Sequence, residues 1–137
     1  MTEEEALEAL RFHSGRHENI HSTRWEDGFL SSLRPYRGEL NARAMSELVE
    51  CLRVLAPRLQ RGDTVERELI TDFLYVIGAG QHWGLHPEGA VQRDKRMTTA
   101  DACTLRAWFS EYSLAFAMLV EGIDLETALG MIETKVD

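Results

Sequence analysis

The sequence has little cysteine, no long apolar run and no strand-like alternation of apolar and polar residues. Cys51 and Cys103 lie inside predicted helices without a neighbouring cysteine, which indicates buried thiols in a reducing compartment and no disulfide framework. The longest apolar run, 114–120, is far shorter than the roughly 20 residues that span a bilayer. The chain begins with an acidic segment, the reverse of the basic start of a signal peptide. We therefore expect a soluble, cytoplasmic protein without membrane contact.

Positive charge is also scarce. The chain carries 15 Lys and Arg residues against 23 Asp and Glu, which gives a formal net charge of -8. An excess of negative charge opposes binding to nucleic acid and to anionic lipid, and it favours association with basic proteins. We therefore expect a protein partner, a basic one if net charge guides the encounter. The alternative is a contact with RNA or DNA through a local basic patch from Arg93 to Arg96.

What the sequence does contain is a series of segments with apolar residues at helical spacing. A length of 137 residues is typical of one domain with a single core. No internal repeat, linker or low-complexity segment divides the chain. We predict an all-α protein with one domain over 1–137, a bundle of five to six helices around a central helix at about 98–121.

The predicted central helix begins at Thr98, whose spacing from Asp101 is that of a capping box, and ends at Gly122. It carries two apolar stripes on roughly opposite sides. The first stripe consists of Leu105, Trp108, Phe109, Tyr112, Phe116 and Leu119, and the second consists of Cys103, Ala107, Leu114 and Met118. If the first stripe faces the core, the second needs a cover of its own, from the terminal helices or from a second copy of the chain. We therefore predict a homodimer that uses the second stripe.

Capping patterns and a proline predict the first two helices. Thr2 and Glu5 have the spacing of a capping box and open the first helix. Thr23 begins a second pattern of the same kind. The helix that it opens is predicted to run to Arg34, because Pro35 disfavours the helical conformation in the residue before it.

Two long amphipathic helices are predicted next. Asn41 is the N-cap of the third helix, and Asp63 or Thr64 is the N-cap of the fourth. The core face of the third helix consists of Met45, Leu48, Val49, Leu52, Leu55 and Leu59. The other face of this helix is charged, as expected of a helix at the surface of a bundle.

The fourth helix has a broader apolar face, which consists of Leu69, Ile70, Phe73, Leu74, Val76 and Ile77. Asp72 lies on its opposite, polar face. Gly78 and Gly80 are poor helix formers, so we predict that the helix becomes irregular near them. An irregular connection from 81 to 97 is then predicted to lead to the central helix.

Three histidines, His13, His17 and His21, stand four residues apart. On an unbroken helix such imidazoles face the same way, and they could share a transition metal with Glu18 or another carboxylate. Gly15 lowers the chance of an unbroken helix. The alternative interpretation is a set of exposed or helix-end histidines in a polar connection.

The predicted connection after the fourth helix holds the richest cluster of potentially reactive side chains, namely His82, Trp83, His86 and Glu88. It is a candidate functional loop, because function concentrates on loops. The nearby glycines lack the spacing of a dinucleotide-binding loop and follow a helix rather than a strand. The alternative is a loop that is ordered by packing alone.

Arg93, Lys95 and Arg96 lie just before the N-terminus of the central helix, where free backbone N–H groups also attract anions. They are a candidate contact for a phosphate or for an acidic segment of a partner. The alternative is a solvated loop whose charges offset nearby carboxylates.

No Ser-His-Asp spacing, nucleophile elbow or neighbouring Cys-His pair marks a catalytic centre. We predict a non-enzymatic protein that needs no cofactor and acts by protein–protein interaction, as a regulator, an adaptor or an immunity protein. The alternative is a helical protein that binds a metal or a small molecule. It would use His13, His17 and His21, or the loop from His82 to His86.

Overall fold

The structure is a computed structural model that describes residues 1–136, with side chains described for all of these except 131 and 133–136. Its longer helices are α1 (Glu3–His13), α3 (Ala42–Gln60), α4 (Arg67–Leu85), α6 (Thr99–Glu121) and α7 (Leu125–Val136). The shorter elements are α2 (Thr23–Glu26), a 3-10 turn (Leu30–Ser32) and α5 (Ala90–Asp94). The described residues form no strand, and the prediction of an all-α bundle is confirmed. Across the same residues, no helix combines the length and apolar character that a membrane-spanning segment needs.

Helix α6 lies at the centre of the bundle, in contact with α3, α4 and α7. The side chains of its first apolar stripe are at most 8% exposed. At the middle of this stripe, Tyr112 donates its hydroxyl to the carbonyl oxygen of Leu48 on α3 at 3.0 Å. This bond satisfies a polar group that burial would otherwise leave unpaired. The predicted central helix and its core face are therefore confirmed.

The second stripe of α6 faces away from this core. Cys103 and Leu114 are exposed, and Ala107 and Met118 are partly exposed. The prediction of buried thiols is therefore correct for Cys51 and wrong for Cys103. Helix α1 packs against α3 and α4, and α7 packs against α3 and α6 in a position that leaves Leu114 51% exposed. The terminal helices thus leave much of the second stripe exposed to solvent. The homodimer through this stripe stays a prediction.

Several predicted helix ends are confirmed by their capping bonds. The Thr2 hydroxyl accepts from the backbone N–H of Glu5 at 3.1 Å, and the Glu5 carboxylate accepts from the backbone N–H of Thr2 at 3.0 Å. Asn41 and Thr98 cap α3 and α6 in the same way, with side chains that accept a backbone N–H three residues later. Gly122 ends α6 with a φ of 102°, a left-handed conformation that favours glycine.

The predicted helix over 23–34 is wrong. Helix α2 is a single turn with Ser22 as its N-cap, and the chain then bends at Gly28. A Cβ at Gly28 would lie 2.5 Å from the carbonyl oxygen of Phe12, so the segment approaches the end of α1 too closely for any other residue. The backbone N–H of Phe29 donates to the side chain of His13 instead of to a helical carbonyl. These tertiary contacts override the local helical pattern.

The predicted bounds of the fourth helix are also wrong. Helix α4 begins at Arg67, beyond both predicted caps, and it continues through its glycines to Leu85. A Cβ at Gly80 would lie 2.5 Å from the Phe109 ring, and one at Gly84 would lie 2.7 Å from Leu105. The glycines let α4 pack closely against α6, and this packing holds the helix together where propensity alone predicted an irregular connection.

Two side chains of α4 lie on the opposite side from the one predicted. Leu74, placed in the core by its spacing, is 54% exposed. Asp72, placed on the polar face, is 4% exposed. The reason is that α4 is covered on two flanks, by α6 and by α1 with the segment that follows it. The buried arc of the helix is therefore rotated toward Asp72.

Alanine substitutions at two glycines of α4 test this account. Gly80→Ala should lower the free energy of unfolding by about 1 kcal/mol, because the cost of overpacking against Phe109 exceeds the gain in helix propensity. Gly78→Ala is the matched control, since a Cβ there meets no atom within 4 Å, and it should raise stability by about 0.5–1 kcal/mol. Urea denaturation followed by circular dichroism measures both. Effects of the same sign would contradict the proposed role of Gly80.

Candidate functional site

The three histidines near the N-terminus do not converge on one another. Helix α1 ends at His13, and Gly15 follows with a φ of 68°, so the unbroken helix on which a shared face depended is absent. The ring of His17 stacks on Phe12 at 3.7 Å between centroids, and His21 is exposed. Among the side chains that the structure describes, no group of three His, Cys, Asp or Glu residues is placed to hold a metal ion.

His13 is almost fully buried and connects three parts of the chain. Its Nδ1 accepts a hydrogen bond from the backbone N–H of Phe29 at 3.0 Å. Because Nδ1 is an acceptor, the proton of the neutral ring lies on Nε2, which donates to Oε1 of Glu47 at 3.0 Å. The imidazole thus ties the end of α1 to the segment at Phe29 and to α3.

Glu47 also receives a hydrogen bond from Arg24, whose guanidinium lies 5.4 Å from the centre of the Phe12 ring. The hydrogen bond from His13 lowers the pKa of the Glu47 carboxyl, burial opposes this effect, and the charge of Arg24 adds to it. A His-Glu pair can serve as a general base, but here both ring nitrogens of His13 are engaged. The arrangement therefore supports a structural role for His13.

A cavity of about 370 Å³ adjoins this network. Its walls include Arg24 and Arg43 together with Asp27 and Glu47. Positive and negative side chains are thus mixed, and Arg24 is already paired with Glu47. The cavity gives no preference for one sign of charge in a ligand.

A second polar network fastens the residues after α1 to α4. Oδ1 of Asp72 accepts from the Ser14 hydroxyl at 3.3 Å and lies 3.3 Å from Nη1 of Arg16. Burial raises the pKa of Asp72, against the opposing effects of the Arg16 charge and the Ser14 hydrogen bond. Arg16 also pairs with Glu68 at 2.9 Å and lies 5.5 Å from the centre of the Tyr75 ring. Arg16 is therefore held in place at the side of α4.

The predicted functional loop is not a loop at its start. His82 and Trp83 belong to α4, while His86 caps the helix and Glu88 lies beyond it. The rings of His82 and His86 are 4.8 Å apart between centroids. Nδ1 of His86 accepts the backbone N–H of Glu88 at 3.1 Å, a local bond that orders the turn. The structure thus brings the two histidines together, and it places Trp83 toward a different surface.

Arg93, Lys95 and Arg96 are exposed at the end of α5 and just after it. Lys95 has a φ of 54°, which ends α5 in a left-handed conformation. None of the three forms an ion pair with another side chain that the structure describes. Their use as an anion contact stays a prediction.

A cleft of about 510 Å³ lies between the residues that follow α1, the 25–34 segment and α4. Three of its lining side chains are aromatic, Trp25, Tyr75 and Trp83, and two are arginines, Arg16 and Arg34. We refer to it as the arginine–tryptophan cleft. Its volume lies within the range of about 300–1,000 Å³ that is typical of ligand sites.

The cleft is locally cationic in an acidic protein. No carboxylate is among its lining residues. Arg16 is engaged by Asp72 and Glu68, whereas Arg34 stacks on Trp83 at 5.3 Å and forms no ion pair with any described residue. An anionic group that enters the cleft would therefore meet Arg34 as the available cation.

An uncharged face of α4 continues from this cleft. The sequence contains no Lys, Arg, Asp or Glu from 73 to 87. Leu74 and Tyr75 are 54% and 51% exposed, and they line a shallow groove of about 310 Å³ with Thr71 and Ala79. Because Tyr75 borders both, the groove and the cleft form one surface. Contiguous exposed apolar surface of this kind often marks an interaction site.

Trp83 is the only residue of the cleft's five aromatic and arginine side chains that the sequence predicted as a candidate site residue. Arg16, Trp25, Arg34 and Tyr75 come from distant segments, and the sequence has no motif that joins them. A usable signal was the uncharged run from 73 to 87. On a continuous helix this run is too long for one buried face, so part of it must be exposed.

Comparisons with protein-family models, with curated proteins and with solved structures found no match to this chain. No relative therefore supplies a function. A proposal of function therefore rests on the chemistry of the cleft and of the neighbouring α4 face.

Replacing His13 tests its structural role. His13→Ala should lower the free energy of unfolding by about 2–3 kcal/mol, because it leaves the Phe29 N–H without an acceptor and opens a cavity. The exposed His21 provides the control, and His21→Ala should change stability by no more than about 0.5 kcal/mol. Urea denaturation at neutral pH compares the two. Similar losses in both variants would argue against the buried network.

Acid titration tests the environment of Glu47. Its pKa in the folded protein is below the ordinary value of 4.5, so its ionised form stabilises the fold. This contribution is fully present above pH 4.5 and is lost as the pH falls through the lowered pKa. The stability difference between wild type and Glu47→Gln should therefore shrink as the pH falls, and Glu4→Gln at an exposed position is the charge-matched control. A difference that grows toward low pH would reverse the assigned sign.

Proposed function

We propose that this protein is a non-enzymatic interaction domain, of the regulator, adaptor or immunity type, that binds a partner protein through the arginine–tryptophan cleft. Trp, Tyr and Arg side chains carry much of the binding energy in protein interfaces. The observation that carries the proposal is the grouping of five such side chains beside an exposed, uncharged face of α4.

The charge of the cleft indicates the chemistry of the contact. The available guanidinium of Arg34 favours a carboxylate, and the aromatic walls favour an apolar side chain next to it. The net charge of -8 acts at longer range and favours a partner that is basic or neutral overall. We propose a partner that presents a short segment in which an acidic residue adjoins an apolar one.

The state of the potential nucleophiles and bases supports a binding role over a catalytic one. Burial raises the pKa of the Cys51 thiol to about 12, so its reactive thiolate is strongly disfavoured. Both ring nitrogens of His13 are already engaged in hydrogen bonds. The exposed free thiol of Cys103 is compatible with a reducing compartment, and we propose the cytoplasm as the site of action.

Selection from a random peptide library displayed on phage tests the cleft. Wild-type protein should enrich peptides in which Asp or Glu lies next to Leu, Phe or Trp. Binding of a selected peptide can be followed by tryptophan fluorescence, since Trp25 and Trp83 both line the cleft. Arg34→Glu should weaken that binding by about tenfold or more, because a hydrogen bond to a charged group contributes about 1.5–3 kcal/mol.

Arg61→Glu is the matched control for this experiment. It makes the same change of charge at an exposed position at the end of α3, outside the residues that line the cleft. Its affinity for the selected peptide should stay within about twofold of wild type, since an exposed charge at a distance is screened by salt. Enrichment of basic peptides, or equal losses in the two variants, would refute the proposal.

A further inference from the structure

The second stripe of α6 is an exposed apolar face whose pattern indicates what covers it. Leu114 is 51% exposed, Cys103 is exposed, and Ala107 and Met118 are partly exposed. The exposed residues beside them include the uncharged Ser110 and Ala117 and the charged Arg106 and Glu121. A chain with a net charge of -8 repels its own copies, but the exposed charges beside this stripe, Arg106 and Glu121, offset each other, so the face carries no excess of negative charge.

The stripe is complementary to itself when one copy is reversed. Its members are separated by four, seven and four positions, a spacing that reads the same in both directions. The two small members, Cys103 and Ala107, lie toward the start of α6, and the two large ones, Leu114 and Met118, lie toward its end. Reversal therefore sets each large side chain against a small one, as close packing of two helices requires.

We propose that α6 packs against α6 of a second copy in an antiparallel, two-fold arrangement centred between Ser110 and Glu111. In this register Cys103 lies opposite Met118 of the second copy, and Ala107 lies opposite Leu114. A two-fold interface of this kind is isologous, so each contact occurs twice. The partner at this face is thus a second copy of the chain.

Electrostatics favour the same orientation. Antiparallel packing places the negative C-terminal end of each α6 beside the positive N-terminal end of the other. The exposed Glu121, in the last turn of α6, then lies near the first turn of α6 in the second copy. A parallel pair would set like ends together, and it would pair large side chains with large ones.

This inference is independent of the proposed function. It concerns the outer face of α6, whereas the arginine–tryptophan cleft lies between α4 and the segments that follow α1. The dimer can be present or absent without changing peptide binding at Arg34.

Disulfide cross-linking tests the register. In the proposed dimer the two Ser110 positions lie close to the two-fold axis, whereas the two Cys103 positions are about 22 Å apart along the helices. Cysteines can be joined only when their Cα atoms lie within about 7 Å. A variant with Cys103→Ser and Ser110→Cys should therefore form a covalent dimer on mild oxidation. Wild type, whose other cysteine is buried, should not.

A matched control separates this result from random collision. Gln81→Cys in the same Cys103→Ser background places an exposed thiol on α4 and should stay monomeric on denaturing gels. Efficient cross-linking of wild type through Cys103 would indicate a parallel pair and would overturn the register. Equal cross-linking of the Ser110→Cys and Gln81→Cys variants would indicate random collision and would also contradict the proposed register.

Light scattering tests the dimer itself. Contact through one helix is at the small end of interface sizes, so the measurement is made at about 100 µM, where a Kd of about 10 µM gives mostly dimer. Leu114→Glu should fold, because the side chain at this position is already half exposed. It should be monomeric, because the dimer would bury the new carboxylate against Ala107 of the second copy. Leu74→Glu, an identical change at a 54% exposed position on α4, should remain dimeric. A monomeric wild type, or a dimeric Leu114→Glu variant, would refute the proposal.

Discussion

The close contact between α4 and α6 is the constraint on which much of this structure depends. Gly80 and Gly84 lie directly against Phe109 and Leu105, at distances that leave no room for a Cβ. The same contact continues through Phe73, whose ring lies 4.9 Å from that of Phe116. Because this packing keeps α4 helical to Leu85, the helix reaches the 25–34 segment and forms one wall of the cleft.

The other wall depends on a single buried imidazole. His13 accepts the N–H of Phe29 and donates to Glu47, so it fixes the chain between Trp25 and Arg34, the two cleft residues of this segment. The turn at Gly28 allows this segment to lie against the end of α1. The positions of Trp25 and Arg34 therefore depend on the contacts made by Gly28 and Phe29, which lie between them in sequence.

The distribution of charge separates the surface into regions with different uses. The outward faces of α4 and α6 are largely uncharged, although the chain as a whole carries a net charge of -8. Burying such faces against another protein costs little desolvation of charge. The α4 face borders the cationic cleft, and the α6 face has a spacing that matches its own reverse. The two partners that we propose, a separate protein and a second copy, would therefore use two different surfaces.

The sequence by itself determined the features that depend on neighbouring residues. Thr2, Asn41 and Thr98 cap their helices as predicted, and the first stripe of α6 is buried, because capping and helical periodicity act within a few residues. Only the tertiary structure decided that α4 runs through Gly78 and Gly80, and that the 23–34 segment bends. A glycine weakens an isolated helix, but it allows close packing when a large side chain lies against it. Whether the loss of helix propensity or the gain in packing is larger depends on residues that are distant in sequence. The assembly of the cleft depends on distant residues in the same way.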